Sequence, residues 1–284
     1  MEQLRRRGIG FFNVKIILSI FFSVMCIALS VMSFHGNDRN ATASATANSG
    51  YIVIDANTNK VILKENERIS LPMASTTKIM TALIAIENCK PEEKVIIPKE
   101  ATNIEGSSVY LNEGECLTVE ELLYCLMLRS GNDSAAAIAL HLCDSIEKFA
   151  EMMNIRAKSL NLNNSNFVNP HGLHDENHYT SCYDLAIIAS KAMEYPLFRK
   201  IVNTKQVTIG QYGNTRVLIN KNKMLKLMSD ANGIKTGYTK KAGRCLVSSA
   251  ERTGRTLICV VLNCPDMYSV SINLLEKGFE LINR

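Results

Sequence analysis

Ser75-Thr-Thr-Lys78 sets a hydroxyl and an amine three residues apart, a separation that stacks both on one face of a helix. A serine at a helix start meets unpaired N–H groups that favour developing negative charge. An amine beside it accepts the hydroxyl proton when burial and neighbouring cations keep it neutral. The pair suits acyl transfer with Ser75 as nucleophile and Lys78 as base. Spacing alone is a weak signal, because Ser145-Ile-Glu-Lys148 repeats it with no companion feature. Ser130-Gly131-Asn132 offers a second hydroxyl and an amide, suited to passing a proton and holding a carbonyl. The same residue types also build ordinary turns, and Ser271-Ile-Asn273 repeats that pattern as well. Lys235-Thr236-Gly237 occurs once; its cation and hydroxyl suit a carboxylate, and Gly237 lets a backbone lie along a strand edge.

The elements that must bring these groups together are legible in outline. Tyr51–Ile54 and Val61–Leu63, joined by a polar turn at Asp55–Asn59, read as a β-hairpin. Ile79, Leu83 and Ile86 repeat at helical spacing between Pro72 and Pro91, so Ser75 lies at a helix start. Thr118-Val-Glu-Glu121 resembles a capping box and opens a helix through Leu128. The break Arg129–Ser134 carries the S-x-N motif, and helices resume over Ala135–Cys143 and Ile146–Leu160. After a loop to about Thr180, Tyr183–Glu194 is helical again. Beyond Pro196 the chain reads as strands: Lys205–Ile209, Thr215–Ile219, Gly233–Tyr238, Arg244–Ala250 and Thr256–Leu262, the last two joined through Glu251–Arg255. A helix over Met267–Ile282 closes the chain. This order predicts an α+β fold in which the first hairpin and the last strands share one sheet.

With 284 residues, 46% of them hydrophobic, the chain buries a substantial core. The net charge of +5 is concentrated at Arg5, Arg6, Arg7 and Lys15, and no basic stripe follows, which argues against a nucleic-acid partner. Those cations precede an uncharged apolar run over residues 16–34. Residues 1–34 therefore read as an export signal or an N-terminal membrane anchor, residues 35–48 as a linker, and residues 49–284 as the functional domain outside the cytoplasm. Of nine cysteines, Cys26 lies in the apolar run, and Cys125, Cys143 and Cys259 sit in apolar patterns where a thiol acts as a small hydrophobe. No C-x-x-C pair occurs, and the thiols are expected to be mostly reduced and buried.

The three motifs follow in the order S-x-x-K, S-x-N and K-T-G, with about 55 and about 105 residues between them, which is the signature of class A β-lactamases and penicillin-binding proteins. Leu71–Met80, Gly106–Leu111, Asn166–Leu173 and Gly243–Val247 add to the match. Over roughly residues 49–284 the chain resembles the low-molecular-mass penicillin-binding D-alanyl-D-alanine carboxypeptidases, a serine peptidase family. The resemblance implies a β-lactamase/DD-peptidase-like fold, an antiparallel sheet flanked by helices with a helical subdomain. It implies removal of the terminal D-alanine from peptidoglycan stem peptides ending in D-Ala-D-Ala, with β-lactams as covalent inhibitors and no cofactor. Residue by residue, it makes Ser75 the nucleophile, Lys78 its base and Ser130 the proton relay. Asn132 would bind the acyl side, while Lys235, Thr236 and Gly237 would hold the terminal carboxylate and strand. The backbone N–H groups of Ser75 and Tyr238 would form the oxyanion hole. Many relatives continue into a β-rich second domain and a C-terminal amphipathic helix, which this sequence lacks, so a membrane attachment would fall to residues 16–34.

Other readings share some of these residues. A class A β-lactamase needs a glutamate in a loop after S-x-N, and Ser159–His171 contains none. A transpeptidase differs only in the acceptor that attacks the acyl-enzyme. His171, His174 and His178, with Asp175 and Glu176, would interest a zinc ion, but they lack H-E-x-x-H order and lie in a loop, so no metal is expected. A catalytically dead binder of cell-wall peptides would not need all the motif positions.

Overall fold

The structure is a computed structural model that describes residues 48–210 and 215–282; the apolar run 16–34 lies outside them, as does all of the 35–48 linker but Asn48. Strands β1 (Gly50–Asp55) and β2 (Val61–Glu65) form the expected hairpin. Its turn is held by Asp55, whose Oδ1 accepts from the Asn57 and Thr58 N–H groups at 3.0 Å. A 3₁₀ turn over Ala74–Thr77 leads into α1 (Lys78–Asn88). A small antiparallel pair, β3 (Lys94–Ile96) and β4 (Cys116–Thr118), precedes α2 (Val119–Tyr124). The capping box is present: Thr118 Oγ1 accepts from Glu121 N at 3.2 Å, and Glu121 Oε2 accepts from Thr118 N at 2.8 Å.

The helix expected to run through Leu128 changes character at Cys125, where a π turn occupies Cys125–Arg129. Helix α3 (Asn132–Leu142) starts earlier than the break in the sequence pattern suggests, and α4 (Ile146–Ser159) follows. Helix α5 covers Cys182–Met193. Between the helix expected to end at Glu194 and the strand expected from Lys205 no element was expected, yet Pro196 does not lie in a loop. It is the first residue of a further helix, α6 (Pro196–Asn203). The β-branched pair Ile201-Val202 favours a strand locally, but proline suits a helix N1 position, and Phe198, Ile201 and Val202 all bury on one face. Strands β5 (Gln206–Ile209) and β6 (Arg216–Ile219) pair only with each other. A short α7 (Met224–Leu227), also unexpected, leads to β7 (Ala231–Thr239), β8 (Gly243–Arg252), β9 (Arg255–Leu262) and α8 (Met267–Ile282).

The main sheet runs β2-β1-β9-β8-β7, antiparallel throughout, so the first hairpin joins the last strands as expected. It separates two apolar cores. Ile52, Ile54, Ile258, Val260, Cys245 and Val247 face the helices α1–α6, whereas Val53, Leu257, Val261, Leu246 and Ala250 face α8. Strand β9 is buried on both faces from Leu257 to Leu262, which explains its near-continuous apolar sequence. Helix α1 runs through the larger core with Lys78 to Ala85 all buried. Its first residue thus carries a lysine into an apolar interior. Among the described residues no helix is long and apolar enough to cross a membrane. The eight described cysteines are free; Cys125, Cys182, Cys245 and Cys259 are buried, while Cys116 is exposed.

Candidate active site

The chain reaches Ser75 through a strained turn. Ala74 has φ 48°, a left-handed backbone that costs a non-glycine residue of order 1 kcal/mol. Thr76 Oγ1 donates to Met73 O at 2.6 Å and Thr77 Oγ1 to Ala74 O at 2.8 Å, so both hydroxyls tie down this turn. His178 fixes it from outside. Its Nδ1 accepts from Val168 N at 3.1 Å, which leaves Nε2–H to donate to Thr77 Oγ1 at 2.8 Å. Because Ser75 lies in 3₁₀ geometry, where residues three apart eclipse, the Lys78 side chain lies over it. Their Nζ and Oγ atoms are 3.1 Å apart.

Lys78 has two further neighbours, Asn132 Oδ1 at 2.7 Å and the backbone oxygen of His171 at 2.5 Å. The Asn132 amide orientation is set by its Nδ2, which donates to Glu105 O. Both oxygens only accept. In a neutral amine they take the two N–H groups, and the remaining lone pair is directed at the Ser75 hydroxyl. Burial pushes Lys78 well below the ordinary lysine range; the charges of Lys235 and Lys221 act in the same direction, and Asp133 opposes them. Asp133 stays out of contact with the amine because its carboxylate is occupied. It accepts from Ser108 Oγ and from the N–H groups of Val109, Leu111 and Ser134. This knits the loop 105–111 to the start of α3.

Ser130 ends the π turn in the left-handed region, φ 64° and ψ 34°, and Gly131 N closes back onto Cys125 O at 3.2 Å. That reversal carries the hydroxyl of Ser130 to the wall of a cavity of about 400 Å³. The cavity is lined by Ser75, Ser107, Ser130 and Lys221 on one side, and by Thr236, Gly237, Tyr238 and Arg244 on the other. Strand β7 forms the edge of the sheet here, so part of its backbone remains unpaired. A Cβ on Gly237 would stand 3.1 Å from Ser75 N, tighter than ordinary contact, so glycine lets β7 run beside the Ser75 N–H. Gly172, at φ 88°, backs the same turn, and a Cβ there would overlap Ala74. Lys235 is 2% exposed and donates to Thr236 O at 3.0 Å; burial, with the charge of Lys221, lowers it to about 7.

Ser75, Lys78 and Asn132 thus meet through hydrogen bonds. Ser75, Ser130, Thr236, Gly237 and Tyr238 meet around one cavity, and Lys235 lies buried behind its wall. Sequence reasoning did not single out Ser107, Lys221, Arg244 or the carbonyl of His171. The last was hidden because a backbone oxygen has no sequence signature. Arg244 was countable: the β7–β8 register pairs it with Tyr238. Of the histidines in the 171–178 loop, His178 bonds to the Ser75 turn, and the other two rings have partners of their own. Burial holds His171 at about 3 and His178 at about 4, His171 Nδ1 accepts from Leu173 N, and His174 faces Glu176.

Residues 37–266 match the D-alanyl-D-alanine carboxypeptidase family of peptidases. D-alanyl-D-alanine carboxypeptidase DacF of Bacillus subtilis is 33% identical over 254 residues, which cover 87% of this chain and 65% of that protein. The chain therefore spans slightly under two thirds of that relative's length. A D-alanyl-D-alanine carboxypeptidase of Streptomyces sp. is 35% identical over 228 residues, covering 73% of this chain and 78% of that one. The crystal structure of the Streptomyces K15 DD-transpeptidase superposes with a TM-score of 0.78 at 31% identity, over 83% of this chain and 98% of the other.

Proposed function

The chain belongs to the D-alanyl-D-alanine carboxypeptidase family of serine peptidases, and from this premise we propose that it removes the terminal D-alanine from peptidoglycan stem peptides through an acyl-enzyme on Ser75. The observation that carries this reading is the buried Lys78 amine beside the Ser75 hydroxyl, with two acceptor oxygens and, among the described residues, no carboxylate in hydrogen-bonding contact. In the proposed reaction Lys78 takes the Ser75 proton as Oγ attacks the carbonyl of the penultimate D-alanine. The N–H groups of Ser75 and Tyr238 hold the developing oxyanion. Ser130 hands a proton to the departing amine and takes one back from the Lys78 ammonium. Water, deprotonated in turn by the neutral Lys78, then cleaves the ester to release the acid and restore Ser75. Asn132 orients the base, and the substrate lies along the free edge of β7.

A β-lactam would acylate the same serine. The loop Ser159–His171 has no glutamate to activate a hydrolytic water, which favours a long-lived adduct. We read residues 49–284 as the catalytic unit and residues 16–34 as what exports it or holds it at the outer face of the membrane. The experiment is labelling with a fluorescent penicillin, with Ser75→Ala alongside and intact mass followed over time. A stable adduct on the native chain, absent from the variant, is expected. D-Alanine release without an adduct, blocked by a chelator, would overturn the serine mechanism. The likeness to a DD-transpeptidase makes the acceptor a second question. A D-amino acid added to the assay would be incorporated into the peptide by a transpeptidase and ignored by a carboxypeptidase.

A further inference from the structure

We propose that Cys89, Glu93 and His141 form a binding site for a divalent metal ion of the zinc class, at the far end of α1 from the catalytic residues. Among the described residues, one thiol, one carboxylate oxygen and one imidazole nitrogen from these three lie within 4.8 Å of one another. The motifs lead to no expectation of a metal, since no C-x-x-C pair occurs and the 171–178 histidines lie in a loop. The trio has no motif either, because Glu93 and His141 are 48 positions apart. Folding alone assembles it.

Each ligand comes from a fixed point of the backbone. Cys89 closes α1, its N–H donating to Ala85 O at 2.9 Å. Glu93 ends the turn before β3; its N–H donates to Lys90 O at 3.1 Å, and its carbonyl accepts from Val119 N at 2.9 Å. Glu93 Oε2 accepts from Lys90 N at 3.3 Å, which leaves Oε1 turned toward His141 Nε2 at 2.8 Å. His141 lies in the last turn of α3. Around tetrahedral zinc, ligand atoms about 2.0–2.3 Å from the metal stand roughly 3.3–3.6 Å from one another. Small side-chain rotations, opening the Glu93–His141 pair by about half an ångström and turning the Cys89 sulfur inward, therefore complete three of four positions.

The ligand types select the metal. Thiolate and imidazole suit zinc, whereas magnesium and calcium take oxygen shells. Cys89 is half-buried while Glu93 and His141 are exposed, so an ion has a way in and a water can fill the fourth position. The Cys89 proton passes to solvent as the sulfur–metal bond forms. Helices α1 and α3 both end here, and their C-terminal ends favour a cation.

The same two helices begin at Lys78 and Asn132, whose Nζ and Oδ1 atoms are 2.7 Å apart. They run side by side in one direction, joined by that hydrogen bond at one end and by the metal at the other. Cys89 follows the 11 residues of α1, so it stands about 16 Å along the helix from Lys78. The ion thus clamps the helices that carry the base and its amide partner and takes no part in acyl transfer.

The test uses the reduced full-length chain, first stripped with a chelator. Cobalt(II) alone is the spectroscopic probe, and zinc(II) alone is added in thermal melts, whose metal-free midpoints check that each variant folds. One bound cobalt with a thiolate charge-transfer band in the near ultraviolet is expected. Zinc at about 100 times its Kd should raise the melting temperature by about 5 °C or more. Cys89→Ser and His141→Gln should each lose the band or shift and weaken binding by about 30-fold or more. Cys116→Ser, which removes the exposed thiol, should keep both signals. A band that persists unweakened in Cys89→Ser or His141→Gln overturns the site, as does a native chain that takes up no cobalt. Penicillin labelling should continue in the chelated chain; its loss would put the metal in the reaction and overturn the clamp.

Discussion

Ser75–Lys78 and Ser145–Lys148 have the same spacing and opposite fates. At the first, the serine lies in a 3₁₀ turn and the lysine lies over it, fully buried, with its charged form disfavoured by burial and by Lys235. At the second, Ser145 is an N-cap whose Oγ accepts from Lys148 N at 3.2 Å. The Lys148 ammonium extends into solvent against Asp144 at 2.6 Å, which raises its pKa. One pair has a buried amine with no carboxylate in contact among the described residues; the other has an ordinary helix cap and a surface ion pair. The difference lies in what packs around each lysine, not in the motif.

The largest effect should come from removing the first pair. Ser75→Ala and Lys78→Arg are each expected to slow penicillin acylation by about 10³-fold or more, since arginine keeps its proton at any working pH. Ser145→Ala and Lys148→Met should leave that rate within about twofold. Equal losses at both pairs in a labelling time course would dissolve the contrast.

A subtler change should make Lys78 behave like Lys148. Asn132→Asp sets a carboxylate 2.7 Å from the amine and raises its pKa. Acylation at pH 7 should drop by about 100-fold and climb again as the pH is raised, because the base is then freed of its proton. A flat loss across pH 7–10 would mean that Asn132 acts through shape alone.

The two turns should also differ in acid. His178 secures the Ser75 turn, and its folded pKa of about 4 lies below the 6.5 of a free histidine; His171 is lower still, at about 3. Below pH 6.5 the unfolded chain therefore binds protons that the folded chain refuses. Stability is full above that value and declines as the pH falls toward 4, by on the order of 2 kcal/mol per histidine. Melting temperatures at pH 7, 5.5 and 4.5 would show this as a slope that flattens in His178→Gln; an identical slope in the variant would refute it. The smallest expected effect is at the control pair, where Ser145→Ala should cost about 1 kcal/mol in a denaturant melt and nothing in labelling.

Much of the scaffold could be read directly from local pattern. The hairpin at Asp55, the Thr118 capping box and the amphipathic α8 each depend on neighbours within a few residues, and each appeared where expected. Helix α6 did not, because Ile201 and Val202 prefer strands until packing against β7 overrules them; Val202 would lie only 2.8 Å from a Cβ on Gly233. Order and spacing singled out Ser75, Lys78, Ser130, Asn132 and the K-T-G strand. The fold brings Ser75, Lys78 and Asn132 into hydrogen-bonding contact and Ser75, Ser130, Thr236 and Gly237 around one cavity. Lys235 shows the limit, since nothing in its spacing indicates that it is only 2% exposed or that burial lowers its pKa to about 7.

By itself the sequence determined which groups are available, in what order they come, and which local turns and caps hold them. Those properties arise from interactions over a few residues, so they survive without knowledge of the rest of the chain. Only the tertiary structure decided which lysine has its charged form disfavoured, which backbone oxygen lies beside it and which cations line the cavity. Desolvation, the His171 carbonyl and the register that pairs Arg244 with Tyr238 all depend on segments far apart in the chain. No spacing along the chain encodes them, because they exist only once the sheet and α1 have closed around the site.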